Sequence, residues 1–166
     1  MSINRRDLFK AGLAVGLGII AKTSGLLPAL AKEAPGQFEM TKTDDDWRSI
    51  LTPMQYRVLR QEATEPPFHN DYHNYKGKGR YHCAGCDLPV FSSEAKYDSQ
   101  TGWPSFWQPI SDAAVGTKTD WKLVYPRTEV HCVRCGGHLG HIFKDGPKPT
   151  GLRYCINSVA LNFLPA

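Results

Sequence analysis

The five cysteines of the chain divide into two pairs and one single residue. The pairs have Cys-x-x-Cys spacing and comprise Cys83, Cys86, Cys132 and Cys135. This spacing is typical of a closed tetrahedral zinc site, in which four thiolates leave no coordination position for substrate or water. Because 45 residues separate the pairs, the sequence predicts one structural Zn²⁺ ion that clamps two distant hairpins.

Other uses of the paired cysteines stay open at this point. Two disulfides would suit an exported protein, and iron would accept the same four sulfurs. A redox-active Cys-x-x-Cys is disfavoured, because thioredoxin-like motifs come singly and within a βαβ pattern that this sequence lacks.

Cys155 stands outside both pairs and is the candidate nucleophile. Strand alternation places Arg153, Cys155 and Asn157 on one face. A guanidinium beside the thiol would lower its pKa from the usual value of about 8.5 and favour the attacking thiolate. The alternative is a small buried apolar residue, but an arginine and an amide would be costly on a core face.

Two histidines and a tryptophan are further candidates for chemistry. His138 and His141 flank a Leu-Gly dipeptide shortly before Cys155, and an imidazole supplies a proton near neutral pH. A lone histidine more often has a structural role. A functional role for these two is therefore favoured only if they lie beside the Cys155 thiol. Trp103 lies between a glycine and a proline that fix a loop, which would expose the indole as one wall of a pocket.

Helical signals come before the proline pair at 66–67, and extended signals come after it. Thr52 to Gln55 forms a capping box with proline at the first helical position, which predicts a helix to about Ala63. Short runs at 122–125, 128–132 and 154–163 alternate with Gly, Pro and Asp clusters, as in antiparallel strands joined by loops. The sequence therefore predicts a mainly β domain.

The first 31 residues have the pattern of an export signal. Arg5 and Arg6 begin a twin-arginine motif, which an apolar run at 11–21 and an Ala-Leu-Ala pattern ending at Ala31 follow. The run of 11 residues is shorter than the about 20 of a membrane span, which argues against an uncleaved anchor. We predict periplasmic export by the twin-arginine machinery, with cleavage after Ala31. Because this route carries folded proteins, the thiols would bind metal before they meet an oxidising compartment.

Removal of this segment changes the charge of the chain. Four cations and one aspartate leave with residues 1–31, so the formal net charge falls from +4 to +1. A nearly neutral chain lacks the electrostatic footprint of a nucleic-acid-binding protein. The remaining 135 residues suit one domain, which we place at 44–166 behind a polar leader at 32–43 that we expect to be mobile.

Six short motifs of the chain occur in the order seen in B-type methionine sulfoxide reductases. They are TEPPF (64–68), YHC (81–83), GWPSF (102–106), HLGHIF (138–143), DGP (145–147) and RYCINS (153–158). The resemblance covers roughly residues 44–164. It implies a β core of two antiparallel sheets, short helices at the N-terminal side, and a four-cysteine zinc site at the end away from the chemistry.

The resemblance also implies an activity and roles for the site residues. The reaction is thiol-dependent reduction of the R epimer of methionine sulfoxide in oxidised proteins, with Cys155 as the nucleophile and a sulfenic acid as the intermediate. His138, His141 and Asn157 would bind or polarise the sulfoxide oxygen. The implied substrate-binding residues are Trp103, which would hold the substrate methyl group, Phe143 and Arg153.

The sequence departs from many members of this family at Thr101, where they carry a resolving cysteine. All other cysteines are assigned to the metal, so we expect an external thiol, such as a thioredoxin-like protein, to reduce oxidised Cys155. We also expect a monomer. Two competing functions are a non-catalytic zinc-knuckle binding module, which leaves Cys155 unexplained, and a dithiol oxidoreductase that would cycle its Cys-x-x-Cys pairs.

Overall fold

The structure, a computed structural model, describes residues 38–166. The predicted export signal and residues 32–37 of the leader lie outside the described residues. Within this range two short helices precede strands that pair only antiparallel and form two sheets. The predicted fold class is therefore confirmed. No helix of the described range is long and apolar enough to cross a bilayer.

Both helices begin at a capping box. Helix α1 (Asp44–Ile50) starts after Thr43, whose side chain accepts from the backbone N–H of Asp46. Helix α2 (Pro53–Gln61) starts after Thr52, as predicted, and ends two residues earlier than predicted, where Glu62 takes a left-handed conformation at φ 54°. The helices bury one aromatic or apolar face against the sheets, through Trp47, Tyr56, Val58 and Leu59.

The strands divide between a small sheet and a large one. The small sheet has the order β2-β1-β9 and contains β1 (Gly79–Cys83), β2 (Pro89–Ser92) and β9 (Leu161–Pro165). The large sheet has the order β3-β4-β8-β7-β6-β5. Its strands are β3 (Lys96–Tyr97), β4 (Ser105–Phe106), β5 (Val115–Asp120), β6 (Arg127–Cys132), β7 (His138–Phe143) and β8 (Arg153–Ile156).

Of the three predicted strands, one is confirmed and two are corrected. The prediction at 128–132 falls within β6. The prediction at 122–125 is wrong, because these residues form the exposed tip between β5 and β6 and have no strand to pair with. The prediction of one strand at 154–163 is also wrong, since the 3-10 turn Ser158–Ala160 divides it into β8 and β9, which belong to different sheets.

Aromatic packing joins the two sheets beside β4. Phe106 of the large sheet stacks on Phe91 of the small one, with ring centroids 4.4 Å apart, and meets Tyr81 edge-on at 5.1 Å. All three side chains are fully buried. Each contributes on the order of 2 kcal/mol by leaving water, so the short strand β4 is held firmly in place.

The described end of the leader contacts the domain. The backbone N–H of Met40 donates to the carbonyl of Arg134 at 2.8 Å, and the Phe38 ring meets the His131 ring edge-on at 5.7 Å. Gly136, at φ 68°, leaves the space that the Phe38 ring occupies. Residues near Met40 thus cover the loop that carries Cys132 and Cys135, which the expectation of a mobile leader did not include.

Candidate active site and metal centre

One line of directly paired residues crosses the large sheet from edge to edge. From β3 to β5 it consists of Tyr97, Ser105, Cys155, His141, Glu129 and Lys118. Directly opposite residues of neighbouring strands point to the same face, so the thiol of Cys155 lies between Ser105 and His141. We call this line the polar row.

A bulge in β7 brings both predicted histidines to the face of the polar row. Residues three apart in a regular strand point to opposite faces. Here His131 pairs with His138 while Val130 pairs with Gly140, so Leu139 is an extra residue in β7. The rings of His138 and His141 consequently meet edge-on with centroids 5.3 Å apart.

Cys155 forms part of the wall of a small cavity of about 110 Å³. Five of the residues proposed from the sequence lie together in its lining: Trp103, His141, Phe143, Cys155 and Asn157. The other lining residues are Thr64, Arg127, Gly140 and Ile156. Pockets for drug-sized ligands have volumes of about 300–1,000 Å³, so this Cys155 cavity suits a smaller group, such as the end of one side chain.

The environment of the Cys155 thiol differs from the expectation. Burial raises its pKa, and the Arg153 charge opposes this shift without reversing it. The expected net lowering of the Cys155 pKa was therefore wrong, although the direction of the arginine's contribution was right. Thr101 is a polar neighbour of the thiol, with its Oγ1 at 4.0 Å from Sγ.

Arg153 is committed to a carboxylate and a ring. Its Nε and one terminal nitrogen donate to the two carboxylate oxygens of Asp145, at 2.9 and 2.8 Å. Its guanidinium also stacks over the Phe143 ring at 4.3 Å. Arg153 is not in the lining of the Cys155 cavity, but Phe143 is. By stacking on Phe143, Arg153 fixes the position of that ring.

His141 is oriented by a buried carboxylate. Its Nε2 lies 2.8 Å from Oδ2 of Asp120, which also accepts from Arg127 at 2.7 Å. The backbone N–H of Lys122 and the His141 bond hold the pKa of Asp120 well below its usual range. An ionised carboxylate only accepts, so His141 Nε2 carries a proton and Nδ1 is the nitrogen that titrates. Burial lowers the pKa of His141.

His138 lies behind His141 rather than in the lining of the cavity. It is 1% exposed, and its Nδ1 lies 3.1 Å from Oε1 of Glu129. Glu129 is buried as well and pairs with Lys118 at 3.2 Å. The role of His138 in binding or polarising the sulfoxide oxygen stays a prediction, and from this position His138 would act through the neighbouring His141 ring.

Asn157 is held through both ends of its amide. Oδ1 accepts from the backbone N–H of Glu65 at 3.0 Å, and Nδ2 donates to the carbonyl of Leu139 at 3.1 Å. One N–H of the amide remains for a ligand. Asn157 therefore has a positioning role in addition to any contact with substrate.

Glu65 is a residue that the sequence reasoning missed. Its backbone carbonyl accepts from the indole Nε1 of Trp103 at 3.1 Å. Its buried carboxylate accepts from the backbone N–H groups of Ser158 and Val159, and burial raises its pKa. Glu65 thus connects the tryptophan, Asn157 and the turn after β8. The sequence signal that could have identified Glu65 was a carboxylate directly before the two prolines of the TEPPF motif.

Asp120 and Arg127 were also missed by the sequence reasoning. Asp120 is the last residue of β5, and Arg127 is the first residue of β6. They face each other across the β5–β6 hairpin, and Arg127 lines the Cys155 cavity. An acid and a base that flank a turn in the sequence were a signal of this pair.

The four paired cysteines come together as predicted. Their sulfur atoms all lie within 4.8 Å of one another, and the shortest separations between the two pairs are 3.4 and 3.6 Å. Tetrahedral Zn²⁺ with bonds of about 2.3 Å places its sulfurs about 3.8 Å apart, so the residues fit this ion. All five cysteines are free thiols, and the two-disulfide alternative is not the arrangement seen.

Two tight turns carry these four cysteines, a candidate site that we call the metal centre. The backbone N–H of Asp87 donates to the carbonyl of Cys83 at 2.8 Å, and that of Gly136 donates to the carbonyl of Cys132 at 2.9 Å. Strand β6 carries Cys132 at one end and Arg127 at the other. Five residues of strand span about 17 Å, so the metal centre and the Cys155 cavity are separate places.

The part of the chain that matches known proteins includes both the Cys155 cavity and the metal centre. A family described as the SelR domain matches residues 51–165. A peptide methionine sulfoxide reductase MsrB of Leptospira interrogans is 52% identical over 126 residues, which are 76% of this chain and 96% of that protein. The MsrB of Methanosarcina barkeri is 53% identical over 127 residues, 76% of this chain and 89% of that protein. The chain belongs to the SelR family of B-type methionine sulfoxide reductases.

Proposed function

We propose that this enzyme reduces the R epimer of methionine sulfoxide in oxidised proteins to methionine, with electrons from an external thiol. The names of the relatives support sulfoxide reduction. The observation that carries the proposal is the position of Cys155 in the wall of a small cavity, directly opposite His141 and in the same lining as Trp103. A nucleophile, a proton donor and an apolar wall are the parts that this reaction needs.

The lining suits an amphipathic group of this size. A sulfoxide carries a methyl group that favours aromatic rings, here Trp103 and Phe143, and an oxygen that favours donors, here His141 and Arg127. Three different groups around one sulfur distinguish its two mirror-image forms, because the other epimer would place its oxygen against a ring. The fixed indole, bonded to the Glu65 carbonyl, supports such stereoselectivity.

The first step transfers one oxygen atom. The Cys155 thiolate attacks the sulfoxide sulfur while protonated His141 donates to the departing oxygen. A bond forms between the two sulfur atoms, and the oxygen takes a second proton from solvent and leaves as water, which breaks the sulfur–oxygen bond of the substrate. That water then adds to the Cys155 sulfur and gives up a proton, so the sulfur–sulfur bond breaks, methionine leaves as the thioether and Cys155 becomes a sulfenic acid. The substrate sulfur is reduced by two electrons and the cysteine sulfur is oxidised by two.

The second step needs a thiol from outside the chain. An external thiol attacks the sulfenic acid, releases water and forms a mixed disulfide, and a second thiol then regenerates Cys155. Of the described cysteines, only Cys155 lies in the lining of the cavity, and the other four belong to the metal centre. A thioredoxin-like protein or another thiol thus fits the role of reductant.

Reduction of a methionine sulfoxide peptide with dithiothreitol, resolved by epimer, tests this function. We expect the R form to disappear and the S form to remain. Reduction of both epimers would contradict the stereoselective part of the proposal. No reduction of either one would leave the non-catalytic binding module as the better interpretation.

We propose that the four cysteines hold one structural Zn²⁺ ion, which would contribute folding free energy and take no part in the reaction. The fit of the sulfur separations supports this. Elemental analysis of the purified protein should give one zinc per chain. One iron per chain, with the visible absorption of an iron–thiolate site, would contradict the choice of metal.

We also propose that the chain is exported to the periplasm after twin-arginine recognition and cleavage behind Ala31. The support is the sequence pattern of residues 1–31. Cell fractionation and N-terminal sequencing should place the mature protein in the periplasm with Lys32 first. Replacement of Arg5 and Arg6 by lysine should retain it in the cytoplasm, and unchanged export would contradict this route.

A further inference from the structure

Apolar side chains cluster at the tip between β5 and β6. Trp121, Leu123, Val124 and Tyr125 are 73%, 46%, 106% and 63% exposed. Four of the nine large exposed apolar residues of the described chain thus occur within five consecutive positions. Single exposed apolar residues are common, but a contiguous group marks a surface that contacts a partner. We call residues 121–125 the apolar loop.

The apolar loop is continuous with the Cys155 cavity. It begins directly after Asp120, which bonds His141, and ends shortly before Arg127, which lines the cavity. Val124 is three residues from Arg127, so their Cα atoms are at most about 11 Å apart. A polypeptide whose side chain enters the cavity therefore passes within reach of this loop.

Ion pairs fix the base of the apolar loop. Lys122 bonds Asp120 through its backbone N–H at 2.9 Å and reaches Glu62 through its ammonium group. Arg127 pairs with Asp120 at 2.7 Å. The two cations that flank the tip are thus already matched by carboxylates. An anionic membrane surface would need free cations here, which disfavours a lipid as the partner.

We propose that the apolar loop is a docking surface for the substrate polypeptide, where it takes an apolar residue about three positions from the oxidised methionine. The spacing follows from the reach of the loop, because an extended peptide advances about 3.3 Å per residue. The inference rests on the proposed function. It adds a local sequence preference, for apolar neighbours in extended segments, to the recognition of the sulfoxide itself.

Peptides of one length with a central methionine R-sulfoxide test the docking surface. One has only glycine and serine around the sulfoxide, and two others carry leucine three positions before or after it. We expect native enzyme to show about tenfold higher kcat/KM for one of the leucine peptides, through a lower KM. Leu123→Ser/Val124→Ser should lose this preference and retain its kcat/KM on the polar peptide.

A matched control and a second variant keep the test decisive. Leu164→Ser changes a side chain of similar exposure, 46%, on the small sheet, and it should keep the full preference. Val124→Asp changes only a fully exposed position, so it should fold normally and also lose the preference. An equal preference in native enzyme and both loop variants would overturn the proposal.

Other occupants of the loop give different results. Sedimentation with phosphatidylglycerol vesicles that is lost in Val124→Asp would make the loop a membrane contact and overturn the proposal. A dimer in light scattering that Val124→Asp dissociates would make it a contact between two copies, with the same consequence. Failure of native enzyme to reduce any of the three peptides would instead contradict the proposed function.

Discussion

The metal centre and the Cys155 cavity both depend on cysteine, but they surround the thiol differently. At the metal centre the four thiols converge from two tight turns, and three of them are fully buried. At the cavity a single thiol sits in the middle of a strand beside an imidazole and an opening for a small group. Access and a proton partner, rather than the residue type, separate a reactive cysteine from a structural one.

The largest expected effect comes from removing the proposed nucleophile, the Cys155 thiol. Cys155→Ser should abolish sulfoxide reduction in a single turnover, because a hydroxyl is not ionised at neutral pH and does not take up the oxygen. Metal content and thermal unfolding should match the native protein, since Cys155 is not among the clustered ligands. Residual activity, or loss of the metal, would contradict the assignment of catalysis to Cys155 and of metal binding to the other four cysteines.

The opposite change acts on the metal centre. Cys135→Ser should lose the metal and unfold or melt far below the native protein, because structural zinc contributes on the order of 10 kcal/mol to the folding of small metal domains. Circular dichroism melts with elemental analysis measure both effects. A stable, metal-free Cys135→Ser protein with native activity would show that the centre is dispensable.

The next largest effect is expected at His141, the proposed proton donor. His141→Ala should lower the single-turnover rate by roughly a hundredfold, the usual value of positioned acid catalysis. Burial lowers the His141 pKa and raises the Cys155 pKa, so the reactive pair of thiolate and protonated imidazole is a minor population. The native rate should rise with pH up to the His141 pKa and then stay nearly constant up to the Cys155 pKa, because the gain in thiolate offsets the loss of protonated donor. An unchanged rate in His141→Ala would exclude this role.

Asp120→Asn provides the matched positioning variant for His141. It keeps the shape of the side chain but removes the charge that holds the proton on His141 Nε2. We expect a smaller loss of rate together with a displaced acid limb of the pH profile. A lower rate with an unchanged profile would indicate a purely structural role for Asp120.

An engineered thiol tests the route of recycling. Thr101 Oγ1 lies 4.0 Å from the Cys155 sulfur, so Thr101→Cys should trap the sulfenic acid as an internal disulfide. After methionine sulfoxide without reductant, peptide mapping should show this disulfide in the variant. The native protein should instead react with dimedone. A native disulfide from Cys155 to a metal-centre cysteine would contradict external resolution.

The smallest expected effect concerns the thiol pKa. Burial raises the Cys155 pKa, and the positive charge of Arg153 opposes that rise. Arg153→Met should raise it further and slow alkylation of Cys155 by iodoacetamide at pH 8 by a few-fold, because less thiolate is present. An equal alkylation rate in both proteins would show that Asp145 fully neutralises the arginine.

Features encoded in short stretches of sequence were predictable. The Cys-x-x-Cys spacing and the Thr52 capping box each depend on residues within one turn of backbone, and both occur where expected. The short run at 122–125 was predicted to be a strand on the same kind of local evidence. These residues have no neighbouring strand to pair with, and they form an exposed loop. A local sequence pattern does not reveal whether a pairing strand is present.

Features that depend on distant contacts were not predictable. Glu65 bonds a turn more than 90 residues away, and Asp120 meets His141 across 21 positions. The bulge that turns His138 and His141 to one face is a property of strand pairing rather than of the HLGH motif. The net rise of the Cys155 pKa likewise comes from burial in the assembled sheet, which the neighbouring arginine did not indicate.

The polar row has a consequence for the folding reaction. Its six members belong to six strands, and a slip of one residue in any strand would move its member to the opposite face of the sheet. Backbone hydrogen bonds alone do not distinguish such a slip, whereas sulfoxide reduction does. Catalytic activity therefore reports strand register. In refolding experiments it should return after the far-ultraviolet signal of the sheet has already recovered.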